Sequence, residues 1–189
     1  MNYIKDIKEF IPLCKQEEFD KERIINLYNK YGDKLLSRDC LEAHFSSSSL
    51  VLDESKEYVL FAYHNIYKSW AWLGGHNDGE RDFLEVAIKE AKEESGVSNI
   101  EPYSKKIISI EILPVKEHIK NGKLVKDHVH LNLSYVLIAS KDEKTSIKED
   151  ENSAVSWIKI SELDKYVSEK AMLPIYQKIL NRIKIGIKW

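Results

Sequence analysis

One stretch, Gly74 to Val97, constrains the fold and chemistry of this chain more than any other part of its sequence. It reads GGHNDGERDFLEVAIKEAKEESGV, a double-glycine turn followed by a segment with apolar residues at helical spacing. Asp82 is suited to cap a helix, and Glu85 follows three residues later, which predicts a capping box. Gly96 is suited to the left-handed residue that ends a helix. The stretch therefore predicts a glycine turn that leads directly into one helix.

Carboxylates crowd the last turns of this predicted helix. At about 100° per residue, Glu90, Glu93 and Glu94 share one face beside the apolar stripe. The negative end of the helix dipole and the neighbouring like charges both disfavour acids there. Divalent cations would offset this cost, and oxygen ligands suit Mg2+ or Mn2+. A solvated acidic patch is the alternative. The glycine turn favours metal binding, because Gly74 and Gly75 let the backbone approach a ligand closely or adopt a positive φ.

The stretch resembles the Nudix box, which runs glycine, five residues, glutamate, seven residues, then Arg-Glu-apolar-X-Glu-Glu-X-Gly-apolar. Residues 89–97, KEAKEESGV, match its second half with Lys89 at the motif arginine, and Gly75 falls on the motif glycine. Counted without a gap, Arg81 stands at the first motif glutamate and Glu80 one residue earlier. Either Glu80 takes that role in a shorter loop, or Arg81 replaces it. In the family this acid mainly supports the loop and helix, so the departure affects bracing more than metal binding.

The resemblance covers roughly residues 44–165 and implies an α/β fold, a Nudix-type α/β/α sandwich with a mixed sheet. We expect residues 1–43 to form an N-terminal helical extension and residues 44–189 to form the Nudix domain. The extension could cover the core, shape the substrate pocket or form a homodimer contact, and nothing in it looks catalytic.

The resemblance also implies a reaction: hydrolysis of a diphosphate linked to another moiety, with Mg2+ or Mn2+ as cofactor. Many members add an acid three residues before the tryptophan of the last strand, but that position here is Ala154, so Glu151 or Glu149 would substitute. Glu93 or Glu94 would also orient or deprotonate the attacking water. The implied metal ligands are the Gly75 carbonyl, Glu90, Glu93, Glu94 and Glu151.

Five residues are candidates for substrate contacts: Lys68, Trp70, His76, Arg81 and His130. His76 lies inside the glycine turn, where it could donate to phosphate or be a plain turn residue. Trp70 could stack on a base or belong to the core. His130 belongs to an alternating strand, HVHLNLS, whose polar face either lines a pocket or meets solvent.

The remaining patterns give the order of the elements. Helical spacing from Ile4 to Ile11 and from Phe19 to Tyr31 predicts two helices, and a final helix is expected over 173–185 with Pro174 in its first turn. We expect the serines at 46–49 to point into a cleft, and we expect Pro114 to limit the strand that contains it. Asn121-Gly122 is predicted to form a hairpin turn. The charged residues 141–153 are expected to be mobile. The predicted strands are 44–52, 58–63, 70–73, 107–113, 128–139 and 155–160.

Composition excludes several function classes. The net charge of −2, from 29 basic and 31 acidic residues, gives no global attraction to nucleic acid or anionic membranes. Two cysteines, Cys14 and Cys40, are too few for a disulfide framework. No apolar run is long enough to span a bilayer, and the N-terminus lacks a secretory apolar core. We therefore expect a cytoplasmic protein whose partner is a small diphosphate compound.

Other functions need different residues. A non-catalytic nucleotide sensor of the same family would not need three glutamate ligands. An isoprenoid diphosphate isomerase needs a cysteine near the pocket, whereas both cysteines precede the first core strand. RNA decapping is weakened by the lack of a broad basic patch. The sequence thus favours a metal-dependent hydrolase of a nucleoside diphosphate derivative, without naming the substrate.

Overall fold

The computed structural model describes residues 2–120 and 123–186. Two short 3₁₀ turns, Gly32–Leu36 and Ile160–Glu162, accompany the regular elements. The helices are α1 Tyr3–Glu9, α2 Lys15–Tyr31, α3 Phe83–Ser95, α4 Leu163–Tyr166 and α5 Leu173–Lys184. The strands are β1 Ala43–Leu52, β2 Tyr58–His64, β3 Ser69–Ala71, β4 Leu73–His76, β5 Ile100–Pro102, β6 Ser109–Val115, β7 His118–Lys120, β8 Lys123–Val125, β9 His128–Ala139 and β10 Asn152–Lys159.

Eight strands form one sheet, which is mixed, as predicted. Its central order is β10-β2-β1-β9-β5, with β3 paired to β2, β4 to β1 and β6 to β9. Strands β1 and β9 run parallel over their whole shared length, and the other pairs are antiparallel. Alternation along β1 sends successive side chains to opposite faces of the sheet. Each face therefore needs its own cover of helices.

Two apolar cores lie on the two sides of the sheet. On one side Phe45 and Val51 join a core that includes Phe83 of α3 and Ile24 of α2. On the other side the core contains Leu50, Leu52 and, from α5, Tyr176, Ile179 and Leu180. The result is the predicted α/β/α sandwich, because helices bury apolar side chains against both faces.

The N-terminal helices pack against the core, the first of the three roles considered for them. Tyr3 and Ile7 of α1 are buried in the same cluster as Phe45, and the Tyr3 and Phe45 rings meet edge to face at 5.7 Å. Helix α2 ends at Tyr31, where the predicted helix also ends, and Gly32 follows with a φ of +56°. The division at residue 43 stays a prediction.

Buried ion pairs join the two ends of the chain. Glu17 of α2 accepts from Arg182 of α5 at 2.7 Å and lies 3.1 Å from Lys178. Lys178 also donates to Glu111 of β6 at 2.9 Å. Glu17 and Arg182 are almost completely buried, so each charge depends on its partner. These buried charges thus join the N-terminal segment to β6 and α5.

Several local expectations were wrong. The strand expected at 70–73 is two strands, because the chain changes its partner from β2 to β1 at Trp72. Strand β6 continues through Pro114 to Val115. It pairs only with β9 among the described strands, so the missing proline N–H interrupts no second ladder. The short strand β5 was missed, since three residues carry no readable alternation.

The serine segment also differs from expectation. The serines of β1 are buried and hydrogen-bonded within the protein, and they do not open into a cleft. In the charged segment 141–153, the Glu143 carboxylate accepts the Ser98 N–H at 3.0 Å and Ser146 N–H donates to the Ser95 carbonyl at 2.7 Å. The mobility expected for this segment stays a prediction. The turn predicted at Asn121-Gly122 lies outside the described residues. Within the described part of the chain, no helix is both long and apolar enough to cross a membrane.

Candidate active site

The ends of α3 follow from its sequence. Asp82 caps the helix by accepting the Glu85 N–H at 3.2 Å, and Gly96 ends it with a φ of +73°. The reciprocal half of the predicted capping box is not made by Glu85. Glu80 takes its place, since Glu80 Oε1 accepts the backbone N–H of Asp82 at 3.0 Å. Two carboxylates, those of Glu80 and Asp82, therefore accept backbone N–H groups at the beginning of α3.

Glu80 and Arg81 have different environments. The Glu80 carboxylate also accepts the Arg81 N–H at 2.6 Å, and its bonds from the Asp82 and Arg81 amides lower the pKa of Glu80. The Arg81 guanidinium forms an ion pair with Asp33, in the segment that precedes β1. Of the two residues considered for the bracing role, Glu80 makes the contacts that support the start of the helix.

The glycine turn lies directly against the helix carboxylates. Gly74 N–H donates to Glu94 Oε2 at 3.1 Å. A Cβ added at Gly75 would lie 2.5 Å from Glu90 Cδ, and one added at Gly74 would lie 2.4 Å from the Ser47 carbonyl oxygen. Both glycines are therefore needed for close approach, and neither has a positive φ.

Three carboxylates converge beside this turn. One oxygen from each of Glu90, Glu94 and Glu151 lies within 4.8 Å of the other two. Glu94 is only 7% exposed. Burial, with smaller contributions from Glu151 and Glu90, raises the pKa of Glu94 to about 9, although the Gly74 amide opposes the shift. Burial also raises the pKa of Glu90. The fold thus concentrates carboxyl groups where their charged forms are poorly solvated.

The loop before β10 brings Glu151 to the helix. Asn152 Nδ2 donates to the Glu94 carbonyl oxygen at 3.0 Å, and the Asn65 N–H donates to the Glu151 carbonyl oxygen at 3.1 Å. Asn152 is buried, so this junction between the loop and α3 is fixed. Three converging carboxylates fit a hard divalent cation, which prefers oxygen ligands and would offset their repulsion.

Glu93 lies outside this group of three. Its carboxylate is 3.4 Å from Lys89 Nζ and 3.6 Å from Lys148 Nζ, and its side chain is 43% exposed. Lys148 also approaches Glu151 at 3.2 Å, so it connects two of the predicted site residues. Sequence reasoning missed Lys148, for which the only signal is its place three residues before Glu151.

The predicted substrate residues lie apart from one another. Lys68 is exposed, and Trp70 is half-buried with its ring edge to face against Tyr63 at 5.7 Å. Among the described residues, no hydrogen bond or ion pair joins Lys68, Trp70 or Arg81 to the carboxylates. Because Gly75 faces Glu90, the next residue of β4, His76, points to the opposite face of the sheet. There His76 Nε2 lies 3.2 Å from His130 Nε2.

The polar face of β9 is largely satisfied inside the protein. Asn132 Oδ1 accepts from Ser48 Oγ at 2.8 Å and from Ser46 Oγ at 3.1 Å. Ser134 Oγ donates to Glu111 at 3.2 Å. Asn132 and Ser134 are fully buried, so this part of the strand neither meets solvent nor lines a pocket. Only the histidine end of the face, at His130 and His128, is partly exposed.

Comparison with known proteins identifies the fold and the family. The sequence matches the family model described as NUDIX domain over residues 43–181. Among solved structures, a NUDIX-family hydrolase from Clostridium perfringens is 22% identical with a TM-score of 0.51, covering 74% of this chain and 97% of its own. A C. elegans Ap4A hydrolase binary complex is 13% identical with a TM-score of 0.50, covering 76% and 96%.

A third solved structure is the NUDIX domain of Shewanella oneidensis NrtR complexed with ADP ribose, 12% identical with a TM-score of 0.52, covering 74% of this chain and 87% of that one. A comparison with curated proteins found no significant sequence match. The family match spans well over half of the chain and contains both the glycine turn and the carboxylates. The chain therefore belongs to the NUDIX domain family, and with it to the hydrolases that act on pyrophosphate bonds.

Proposed function

We propose that the chain hydrolyses a diphosphate linkage in a nucleoside diphosphate derivative, with Mg2+ or Mn2+ as its cofactor. The observation that carries this proposal is the convergence of Glu90, Glu94 and Glu151 beside Gly75. These carboxylates and the Gly75 carbonyl would hold the cations. Bound there, divalent ions would neutralise diphosphate oxygens and lower the pKa of a bound water.

The protein's own groups suit this role. Glu94 retains its proton well above the usual carboxyl range because it is buried, and it would release that proton when a cation binds. Glu93 is the most exposed of the helix glutamates at the site, and Lys89 and Lys148 hold its carboxylate. Glu93 or Glu94 would orient or deprotonate the attacking water.

The substrate class rests on weaker support. The similar structures include one named as an Ap4A hydrolase and one complexed with ADP ribose, and in both compounds phosphates link an adenosine to a second group. Lys68, Trp70, His76, Arg81 and His130 stay candidates for substrate contacts. The proposal also includes a cytoplasmic location, a small-molecule partner and a homodimer. The cytoplasmic location is proposed because both cysteines are free and form no disulfide framework.

The first test is product release from a panel of diphosphate compounds with Mg2+ or Mn2+. The panel holds nucleoside triphosphates, ADP-ribose, dinucleotides, nucleotide sugars and isoprenoid diphosphates. Glu94→Gln is expected to lower kcat at least about 100-fold, because it removes a charged ligand. Glu85→Gln is the matched control, since Glu85 lies exposed on the same helix.

Turnover of a nucleotide that requires metal and is lost only in Glu94→Gln supports the proposal. Equal turnover in wild type and Glu94→Gln would contradict the site. Turnover of isoprenoid diphosphates alone would contradict the substrate class. Tight metal-free binding of one compound without turnover would favour a nucleotide sensor.

A further inference from the structure

Four histidines gather on the face of the sheet opposite the glutamates. His44 lies near the start of β1, His76 ends β4, and His128 and His130 begin β9. In the sheet register His44 is opposite His130, and His76 is opposite Ser46, two residues along β1 from His44. Strand pairing therefore places these side chains on one face, without any loop to position them.

The ring nitrogens approach one another at the spacing of metal ligands. One ring nitrogen from each of His44, His76 and His130 lies within 4.8 Å of the other two. His130 Nε2 is 3.2 Å from His76 Nε2 and also 3.2 Å from His128 Nε2. Two imidazole nitrogens on one tetrahedral Zn2+, with bonds of about 2.0–2.1 Å, lie roughly 3.4 Å apart.

Two of the rings are oriented by backbone carbonyls. His44 Nδ1 lies 3.3 Å from the Cys40 carbonyl oxygen, and His128 Nδ1 lies 2.8 Å from the Lys126 carbonyl oxygen. A carbonyl only accepts, so each Nδ1 carries a proton and each neutral ring keeps its lone pair on Nε2. Metal-bound histidines are commonly held in this way, with the second nitrogen donating to a carbonyl.

Neutral imidazole rings cannot form a hydrogen bond across every one of these nitrogen–nitrogen contacts. His130 Nε2 faces two Nε2 atoms, and its single site can share a proton with only one of them. His44 is 4% exposed, and its Nε2 has no hydrogen-bond partner among the described residues. Burial, with a smaller contribution from His128, lowers the pKa of His44 and favours the neutral ring. His44 therefore presents a buried lone pair on Nε2 to the cluster.

We propose that His44, His76 and His130, with His128 as the fourth ligand, form a zinc site separate from the glutamate site. A set of imidazole nitrogens suits Zn2+, Cu2+ or Ni2+ and not Mg2+, which prefers oxygen. A closed, partly buried set of four suits a structural Zn2+. Such an ion would tie the ends of β1, β4 and β9 together beside Gly75.

The test measures zinc retained by the full chain. The protein is stripped with chelator, supplied with Zn2+ in the presence of excess Mg2+, desalted and assayed for metal by mass spectrometry. Wild type is expected to retain about one Zn2+ per chain. His130→Gln and, independently, His76→Gln are expected to weaken zinc binding at least about 100-fold, since each removes a direct ligand.

Two controls separate the sites. His64→Gln removes a histidine outside the cluster, and Glu94→Gln removes a glutamate at the other site, and both should retain zinc. Circular dichroism checks that each variant is folded. X-ray absorption at the zinc edge should show nitrogen ligands at about 2.0–2.1 Å.

Three results would overturn the proposal. The first is no retained zinc in folded wild type. The second is zinc lost in Glu94→Gln but kept in both histidine variants. The third is no zinc together with weaker binding of inorganic phosphate in His130→Gln, which would assign these rings to phosphate instead.

Discussion

At the scale of single residues, Glu94 shows how burial prepares a carboxyl group for a cation. It is 7% exposed, accepts one backbone N–H from Gly74 and faces two other carboxylates. One amide donor is too little to offset the loss of water around a charge. The protonated form is therefore favoured until a positive ion is supplied.

This predicts how the stability of the metal-free protein varies with pH. The pKa of Glu94 is raised from 4.5 to about 9 by folding. Between these values the unfolded chain has released the proton and the folded chain has kept it, so the free energy of unfolding falls as pH rises. The slope contributed by this residue is at most about 1.4 kcal/mol per pH unit.

Urea denaturation in chelator, from about pH 6 to about pH 8, measures this slope. Glu94→Gln has no proton to lose, so its stability should vary less with pH than that of wild type. Added Mg2+ should flatten the wild-type curve as well. Parallel curves for the two proteins in chelator would show that Glu94 is ionised in the fold.

At the scale of elements, the glycine turn and α3 act as one unit. Sequence alone predicted both ends of the helix, because Asp82 and Gly96 are local signals. It did not predict that Glu80 completes the cap, since either Glu80 or Arg81 could occupy that place. The contact of Gly75 with Glu90 depends on β4 pairing with β1, which no local pattern encodes.

Gly75→Ala tests the close approach. The new methyl group would meet the Glu90 carboxylate, which must move, and a shift of about 1 Å at a reacting centre costs roughly 100-fold in rate. We expect a fall in kcat of that order with only a small change in stability. Steady-state kinetics and urea denaturation measure the two effects.

Gly32→Ala is the matched control for this substitution. Gly32 has a φ of +56° and no atom within 4 Å of an added Cβ, and it lies outside the site. It should lose about 1–3 kcal/mol of stability through backbone strain and keep its kcat. A Gly75→Ala protein with wild-type kcat would show that Glu90 need not be held against the turn.

At the scale of the whole molecule, the fold joins residues that are distant in sequence. Glu17 and Arg182 meet at 2.7 Å although they lie near opposite ends of the chain. Most strands and helices could be predicted, because alternation and helical spacing are local. The fold class followed from the resemblance of Gly74 to Val97 to the Nudix box. The exchange of strand partners at Trp72 and the buried polar face of β9 could not, since both depend on neighbours in space.

The candidate site also contains residues that local sequence patterns identify and one that depends on neighbours in space. Glu90 and Glu94 could be identified from one helix, but the acid of the last loop could not be chosen between Glu149 and Glu151. The structure places Glu151 with the helix glutamates, through the bonds of Asn65 and Asn152. Glu93 shares their helix face yet lies with Lys89 and Lys148, because neighbouring charges decide where an exposed side chain rests.

The most direct test of the account is Mn2+ binding, followed by electron paramagnetic resonance in wild type, Glu151→Gln and Glu149→Gln. The two substitutions are chemically identical and only two residues apart, and Glu149 is exposed. The account predicts that Glu151→Gln weakens Mn2+ binding about 10-fold or more, while Glu149→Gln binds as wild type does. Equal binding by all three proteins, or a loss confined to Glu149→Gln, would contradict the carboxylate site described above.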